Sequence, residues 1–367
     1  MLLQALDLPT PNLTTFHATW GSGSAMVPEI RLDSPALFGG QTPNLSNLRF
    51  VGVGVPLNSP LYTGLVHLEI ECVEFAQSSM LQLCEALAAC PRLEDLVLST
   101  VQFHLPIESV PNSTSPRQAA ALAVSLPYLK RLHLYKLQHD ATLFLLSRIS
   151  ASSSLHLKVS FNAGTALSTL YPVSRFPSLC GIALATNLEL AYKSLTLRSS
   201  SESDGSYVFS IIDDARPAPR LFLGGIGQDL LLPNLTSLSL IYLSERTWDM
   251  TSFKRMLDGL PTLKTLSIEK CATCYLAALI VTPDSCLCPS LEGLRAVSAQ
   301  INEKSLIALA LSRTPRGNRA SLLPAGGSFL REVEIRECNQ VDITTAEVLG
   351  LMSIKVKWEG RDYGTAS

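Results

Sequence analysis

One short pattern recurs along this chain and limits what it can fold into. It is a proline, any residue, then apolar residues at steps of three, two and three. The sharpest copies are PNLTSLSLIYL from Pro233, PTLKTLSIEKC from Pro261 and PSLEGLRAVSA from Pro289, with prolines 28 residues apart. Further copies start at Pro11, Pro43, Pro91, Pro127 and Pro177, and two without the proline start at Leu65 and Leu330. These ten copies exceed chance even in a Leu-rich chain.

Numbered from the first apolar residue, the ladder reads L-x-x-L-x-L-x-x-N/C, the core of a leucine-rich repeat. Its ninth position is read as Asn187, Cys271 and Cys338 in three copies. Alternation around the fourth and sixth positions predicts a strand whose apolar side chains point inward and whose intervening ones point out. Helical periodicity fills the gaps at Ser78–Cys90, Ser115–Leu126, Asp140–Ile149, Asp249–Leu260 and Asn302–Arg313. No single strand–helix unit can bury its apolar side alone, so neighbours must stack and share a core. The expectation is an α/β leucine-rich-repeat solenoid, a ribonuclease-inhibitor-like curved horseshoe, forming one domain over 1–367. The interval from Pro177 to Pro233 is 56 residues, twice 28, so an insertion is expected near 194–232. Within it Ser194–Ile211 reads as two strands around a Ser-rich acidic turn, followed by a Pro/Gly-rich loop. Ser154–Phe161 reads as a further strand, and His104–Pro116 and Thr314–Ser328 as loop insertions.

Composition removes several classes of function. With 29 basic and 31 acidic residues and a net charge of −2, the chain offers no electrostatic case for nucleic acid. No segment has the roughly 18–20 uninterrupted apolar residues of a membrane span. The opening MLLQALDLPTPNL lacks a basic region before its apolar residues, so no signal peptide is expected. The nine scattered cysteines then read as reduced thiols of a cytoplasmic or nuclear protein.

Sharper chemical signals are few. Cys271, Cys274, Cys286 and Cys288 could hold zinc if they converged. However, Cys271 is a ninth ladder position and Cys288 precedes a repeat proline as Cys90 does, so no metal or cofactor is expected. Sequons occur at Asn12, Asn44, Asn112 and Asn234, three of them inside the ladder's own Pro-Asn-Leu phrase. Without a signal peptide they are not expected to be glycosylated. Gly52-Val53-Gly54 and the Gly224–Gly227 run lack the surrounding pattern of a nucleotide loop, and no catalytic motif is present. The chain therefore reads as a non-enzyme. Candidate function rests on the third, fifth and seventh ladder positions, which should face outward. They include Asn47, Arg49, His67, Glu69, Asp95, Arg131, His133, Tyr135, Thr265, Ser267, Glu269, Arg295, Glu332, Glu334 and Arg336. His17, His67 and His133 are all assigned to the fifth position, in repeats too far apart to pair. Arg and Tyr there suit protein-binding hot spots.

The chain resembles the leucine-rich-repeat region of fungal F-box proteins, above all the large sets of mushroom-forming fungi. The resemblance rests on SPALFGGQTPNLSNLRFVGV (Ser34–Val53), GLVHLEIECV, LCEALAACPRLEDLVLSTV (Leu83–Val101) and the block LPNLTSLSLIYL through LPTLKTLSIEKC. Leu-Phe-Gly-Gly before one repeat and Cys-Pro before another are typical of that group. It implies the substrate-recognition part of a ubiquitin ligase receptor, with an unknown protein as partner. The helical F-box that would bind the ligase adaptor is not found here, because the repeats begin at Pro11. An adaptor is therefore expected as a partner only if an F-box lies outside this chain. The alternative is a free-standing repeat scaffold without a link to ubiquitin.

Overall fold

The computed structural model describes residues 8–20, 27–28, 37–104, 123–152, 154–161, 176–191, 194–199, 208–213, 226, 232–243, 249–315, 323–324 and 327–363. The chain is of mixed α/β class, with mostly parallel strand pairing and few helices. It divides into two compact units. One comprises Met1–Thr165, Pro172–Gly181 and Ser201–Asp214; the other comprises Ala166–Tyr171, Ile182–Ser200 and Ala215–Ser367.

The first unit carries β1 (Thr15–Thr19), β2 (Val27–Pro28), β3 (Asn47–Val51), β4 (His67–Phe75), α1 (Met80–Ala88), β5 (Asp95–Phe103), β6 (Val124–Leu126), β7 (Arg131–Tyr135), α2 (His139–Arg148), β8 (Ile149–Ala151) and β9 (His156–Phe161). The second begins with β10 (Asn187–Ala191) and β11 (Ser194–Arg198); β12 (Val208–Asp213) returns to the first. The second continues with β13 (Ser237–Ile241), α3 (Met250–Asp258), β14 (Thr265–Glu269), α4 (Cys274–Ala277), β15 (Gly293–Val297) and α5 (Glu303–Ser312). It ends with β16 (Glu332–Arg336), α6 (Ile343–Leu351), β17 (Lys355–Trp358) and β18 (Arg361–Tyr363).

Parallel pairing keeps equivalent ladder positions side by side. In the first unit the order is β1-β3-β4-β5-β7-β9-β12, and Phe16, Leu48, Leu68, Leu96, Leu132 and Leu157 share one row. In the second, β10-β13-β14-β15-β16-β17 aligns Leu188, Leu238, Leu266, Leu294, Val333 and Val356. In most strands the fourth and sixth positions are buried while the third, fifth and seventh are not, as in β13 and β3; Asp95, a buried third position, and β1, whose Phe16 and Ala18 are half-buried, depart from this. Each fully buried Leu contributes roughly 2 kcal/mol of apolar burial, so the rows form the core. Neighbouring helices pack side by side, α1 on α2 in the first unit and α3 through α6 in turn in the second.

The recurring proline has a local cause. The first ladder N–H bonds back three residues, as in Leu93 to Cys90, Leu129 to Leu126, Leu235 to Leu232 and Leu263 to Leu260. That closes a turn with proline second, where its fixed φ is pre-set. The Asn after it also has structural work in two copies. Asn44 Nδ2 donates to the Pro11 carbonyl at 2.7 Å and Asn234 Nδ2 to that of Ala183 at 3.0 Å.

At the eighth position the chain adopts a left-handed conformation. Gly52, Cys72, Thr100, Lys136, Tyr242, Lys270, Ser298 and Glu337 all have positive φ. Such a conformation costs a non-glycine residue roughly 1–2 kcal/mol. It lets the ninth side chain turn back inward, and in several copies the eighth N–H bonds the seventh carbonyl of the next strand. Examples are Tyr242 to Glu269 at 2.9 Å and Ser298 to Arg336 at 2.8 Å. Glycine is required only at Gly52, where a Cβ would meet the Trp20 carbonyl oxygen at 2.5 Å.

Several expectations are corrected. The copy from Pro177 forms no strand. Pro177–Leu184 coils into a 3-10 helix, and Leu179, Ile182 and Ala185, three apart, are buried. The strand is β10, three residues after that helix, so Asn187 is a third position, level with Ser237, and not a ninth. His67 is also a third position, level with Asn47 and Asp95, whereas His17 and His133 are fifth. Val124–Leu126, expected as the end of a helix, is β6 pairing with β8; the rest of that expected helix, 115–122, lies outside the described residues. The other four helices are present, and three start on side-chain caps. Ser79 makes a reciprocal cap with Gln82, Asp249 accepts from Thr251 and Ser252, and Asn302 accepts from Ser305. Both strands expected in 194–211 form. β11 pairs antiparallel with β10, and β12 runs parallel to β9. The loop expectations at 105–116, 200–207 and 214–225 lie outside the described residues, as does most of 314–328. β17, β18 and α6 were not anticipated.

Candidate functional site

Within each unit the outward positions line up in rows that mix polar and charged residues with apolar ones such as Val97 and Ile241. In the first, the aligned rows bring together three of the expected residues in one cluster around Asp95. Asp95 accepts from both the Nε and the Nη2 of Arg131, the latter at 2.6 Å, and faces Nδ1 of His67 on its other side. The Arg131 hydrogen bond holds the Asp95 carboxyl below its ordinary range, against an opposing effect of burial. His133, next along β7, is pushed down first by burial and then by the charges of Lys158 and Arg131. A second group sits on β3 and β4. Arg49 contacts Glu69 and Glu71, each at 3.1 Å. Burial and a hydrogen bond with Glu71 raise the Glu69 carboxyl to about 7. Tyr135 lies at the seventh position of β7, with the Lys136 ammonium 5.1 Å from its ring centre.

In the second unit, Glu334 bridges Arg295 at 3.4 Å and Arg336 at 2.6 Å. Glu332 pairs with Lys357 at 3.1 Å. Glu269 makes no ion pair among the described residues. Thr265 and Ser267 are small and polar beside Ser237 and Ser239. Next to them lies a hollow of about 200 Å³, lined by Asn187, Glu189, Thr196, Arg198 and the two serines. Arg198 and Glu189 stand 3.6 Å apart at its side.

Sequence reasoning missed Glu71, His156, Lys158, Glu189, Arg198 and Lys357. Glu71 is a seventh ladder position and was within reach of the same rule. His156 and Lys158 become third and fifth positions once Leu157 and Val159 are taken as the fourth and sixth. Glu189 was hidden by the misplaced register after Pro177.

The cysteines are used by the backbone. Cys271 Sγ lies 3.3 Å from the Leu240 carbonyl oxygen and 3.2 Å from that of Glu269, and Cys338 sits equivalently against Ala296 and Arg336. Cys288 faces the Leu257 carbonyl. Burial pushes Cys271 to about 11 and Cys288 to about 12, so both are held as thiols. Among the described residues no cluster of three His, Cys, Asp or Glu could hold a metal ion, and no helix is long and apolar enough to cross a membrane. No protein-family model matches the chain, and no curated protein is similar to it.

Proposed function

We propose that this chain is a leucine-rich-repeat solenoid that holds another protein on its outward strand face. In this reading it is the substrate-recognition region of an F-box-type ubiquitin ligase receptor. The observation that carries it is the strict alignment of ladder positions. It gathers Arg, Tyr, His and carboxylate side chains into two-dimensional arrays on parallel, in-register strands, and protein recognition favours Arg and aromatic anchors. Further support comes from the ion pairs, which link neighbouring strands and so fix side chains in place before a partner arrives. The resemblance of the repeats to the fungal F-box group supplies the link to ubiquitin. A free-standing scaffold is the other outcome of the tests.

Affinity purification with mass spectrometry should compare the wild type with an Arg131→Glu, Tyr135→Ala, Arg295→Glu variant of unchanged circular dichroism. Specific partners should fall about tenfold or more, as expected when anchors worth ~1.4 kcal/mol are lost. Unchanged recovery would move the site off this face. Co-purification of a cullin-ring adaptor with the full-length gene product supports the receptor assignment; its repeated absence favours the scaffold.

A further inference from the structure

We propose that β7 and β9 of the first unit form a docking surface for an acidic segment of a partner protein, one with Asp or Glu at alternate residues. This rests on the protein-binding function above and names the chemistry of the partner. The strands are parallel and in register, so Arg131 lies beside His156 and His133 beside Lys158. Leu132, Leu134, Leu157 and Val159 are buried between them, which turns all four nitrogen-bearing side chains to the same side. Arg131, His156 and Lys158 are exposed and His133 is half-buried. Strand geometry spaces the groups at roughly 5 Å across the pair and 6–7 Å along each strand. An extended segment repeats its side chains at that same 6–7 Å interval on one face, so carboxylates two residues apart match the long side of this rectangle.

Lys158 and Arg131 bring two cations together here, whereas several arginines and lysines at other outward positions are matched by carboxylates of their own. Arg49 is matched by Glu69 and Glu71, Arg295 and Arg336 by Glu334, and Lys357 by Glu332. Around the rectangle, β5 contributes Asp95, Val97 and Ser99, and β12 contributes Val208 and Ser210. Among side chains described, Asp95 is the carboxylate that faces the group, and Arg131 and His67 already engage it. Lys158 makes no ion pair among the described residues. Its charge and that of Arg131 disfavour protonation of His133 between them, a repulsion that an incoming anion relieves.

The test is fluorescence anisotropy of the full chain with a fluorescein-labelled Glu-Gly repeat peptide, with a Gln-Gly repeat as the neutral control. The Glu-Gly peptide should bind, more weakly as salt screens the charges and more tightly as pH falls and His133, held below its ordinary range, takes up a proton. Lys158→Glu with His133→Gln should weaken it about tenfold or more. The milder Lys158→Gln, at an exposed position, should weaken it less and leave the melting temperature unchanged. Equal binding of the two peptides, or undiminished binding by both variants, overturns the proposal. So does equal binding of a labelled oligonucleotide of the same charge, which would make the surface a general polyanion site. If the peptide fails to bind while Arg295→Glu still loses cellular partners, this proposal falls and the protein-binding function stands. If neither responds, both fall.

Discussion

At the scale of single residues, the outward face is a titrating surface. Glu69 is the clearest case, because burial and its hydrogen bond with Glu71 lift its carboxyl from 4.5 to about 7, in spite of Arg49. The folded state therefore keeps a proton that the unfolded chain gives up. The stability this carries is fully present below pH 4.5 and is lost as pH rises through about 7. Asp95 works the other way. Its carboxyl is lowered by Arg131, so its stability is present above pH 3.8 and is lost as pH falls through the depressed value. Urea unfolding across this range should show stability declining toward alkaline pH, and Glu69→Gln should flatten that decline while leaving the acid limb in place. An unaltered slope would mean that Glu69 titrates as an ordinary exposed carboxylate.

At the scale of elements, the ladder made most of the strands legible, including β1 and β16, whose fourth and sixth positions are not leucine, and it erred after Pro177. The register after Pro177 slipped because LCGIAL carries apolar residues three apart, which suits a 3-10 turn as well as a ladder. β17 went unread because SIKVKW has neither the leading proline nor the first leucine. The clue was there in alternation followed by Glu359-Gly360, both at positive φ, which link β17 to β18 as a two-residue hairpin turn does. The left-handed eighth position left almost no trace in sequence, since it is Gly in one copy and Lys, Tyr, Thr or Glu in others; tertiary bonds, not local preference, fix it there. The outward face was legible to the extent that the register was, which is why Arg131 and Asp95 were found and Lys158 was not.

One element depends on a residue that patterning cannot reveal. Arg313, at the end of α5, is fully buried, and its guanidinium donates to the carbonyls of Leu279, Cys288 and Leu287. It thereby ties the stretch between α4 and β15 to α5 without a carboxylate partner among the described residues. Arg313→Ala should cost about 3–5 kcal/mol, because it removes charge-assisted hydrogen bonds and leaves three buried acceptors over a cavity. Chemical denaturation measures this; a loss under about 1 kcal/mol would show that water replaces the guanidinium.

At the scale of the whole molecule, the buried cysteines have a practical consequence. Cys84 and Cys90 lie in the first unit, Cys271, Cys288 and Cys338 in the second, and all five are buried with raised thiol pKa. Cys72, Cys274 and Cys286 are partly accessible. An alkylating reagent should tag Cys72, Cys274 and Cys286 within minutes in the native protein and reach the five buried ones only as their surroundings open. Peptide mapping after timed alkylation in increasing urea then dates the opening of each unit separately, without any introduced label. These small buried residues thus act as built-in clocks, ticking at rates set by the local stability of the segments around them.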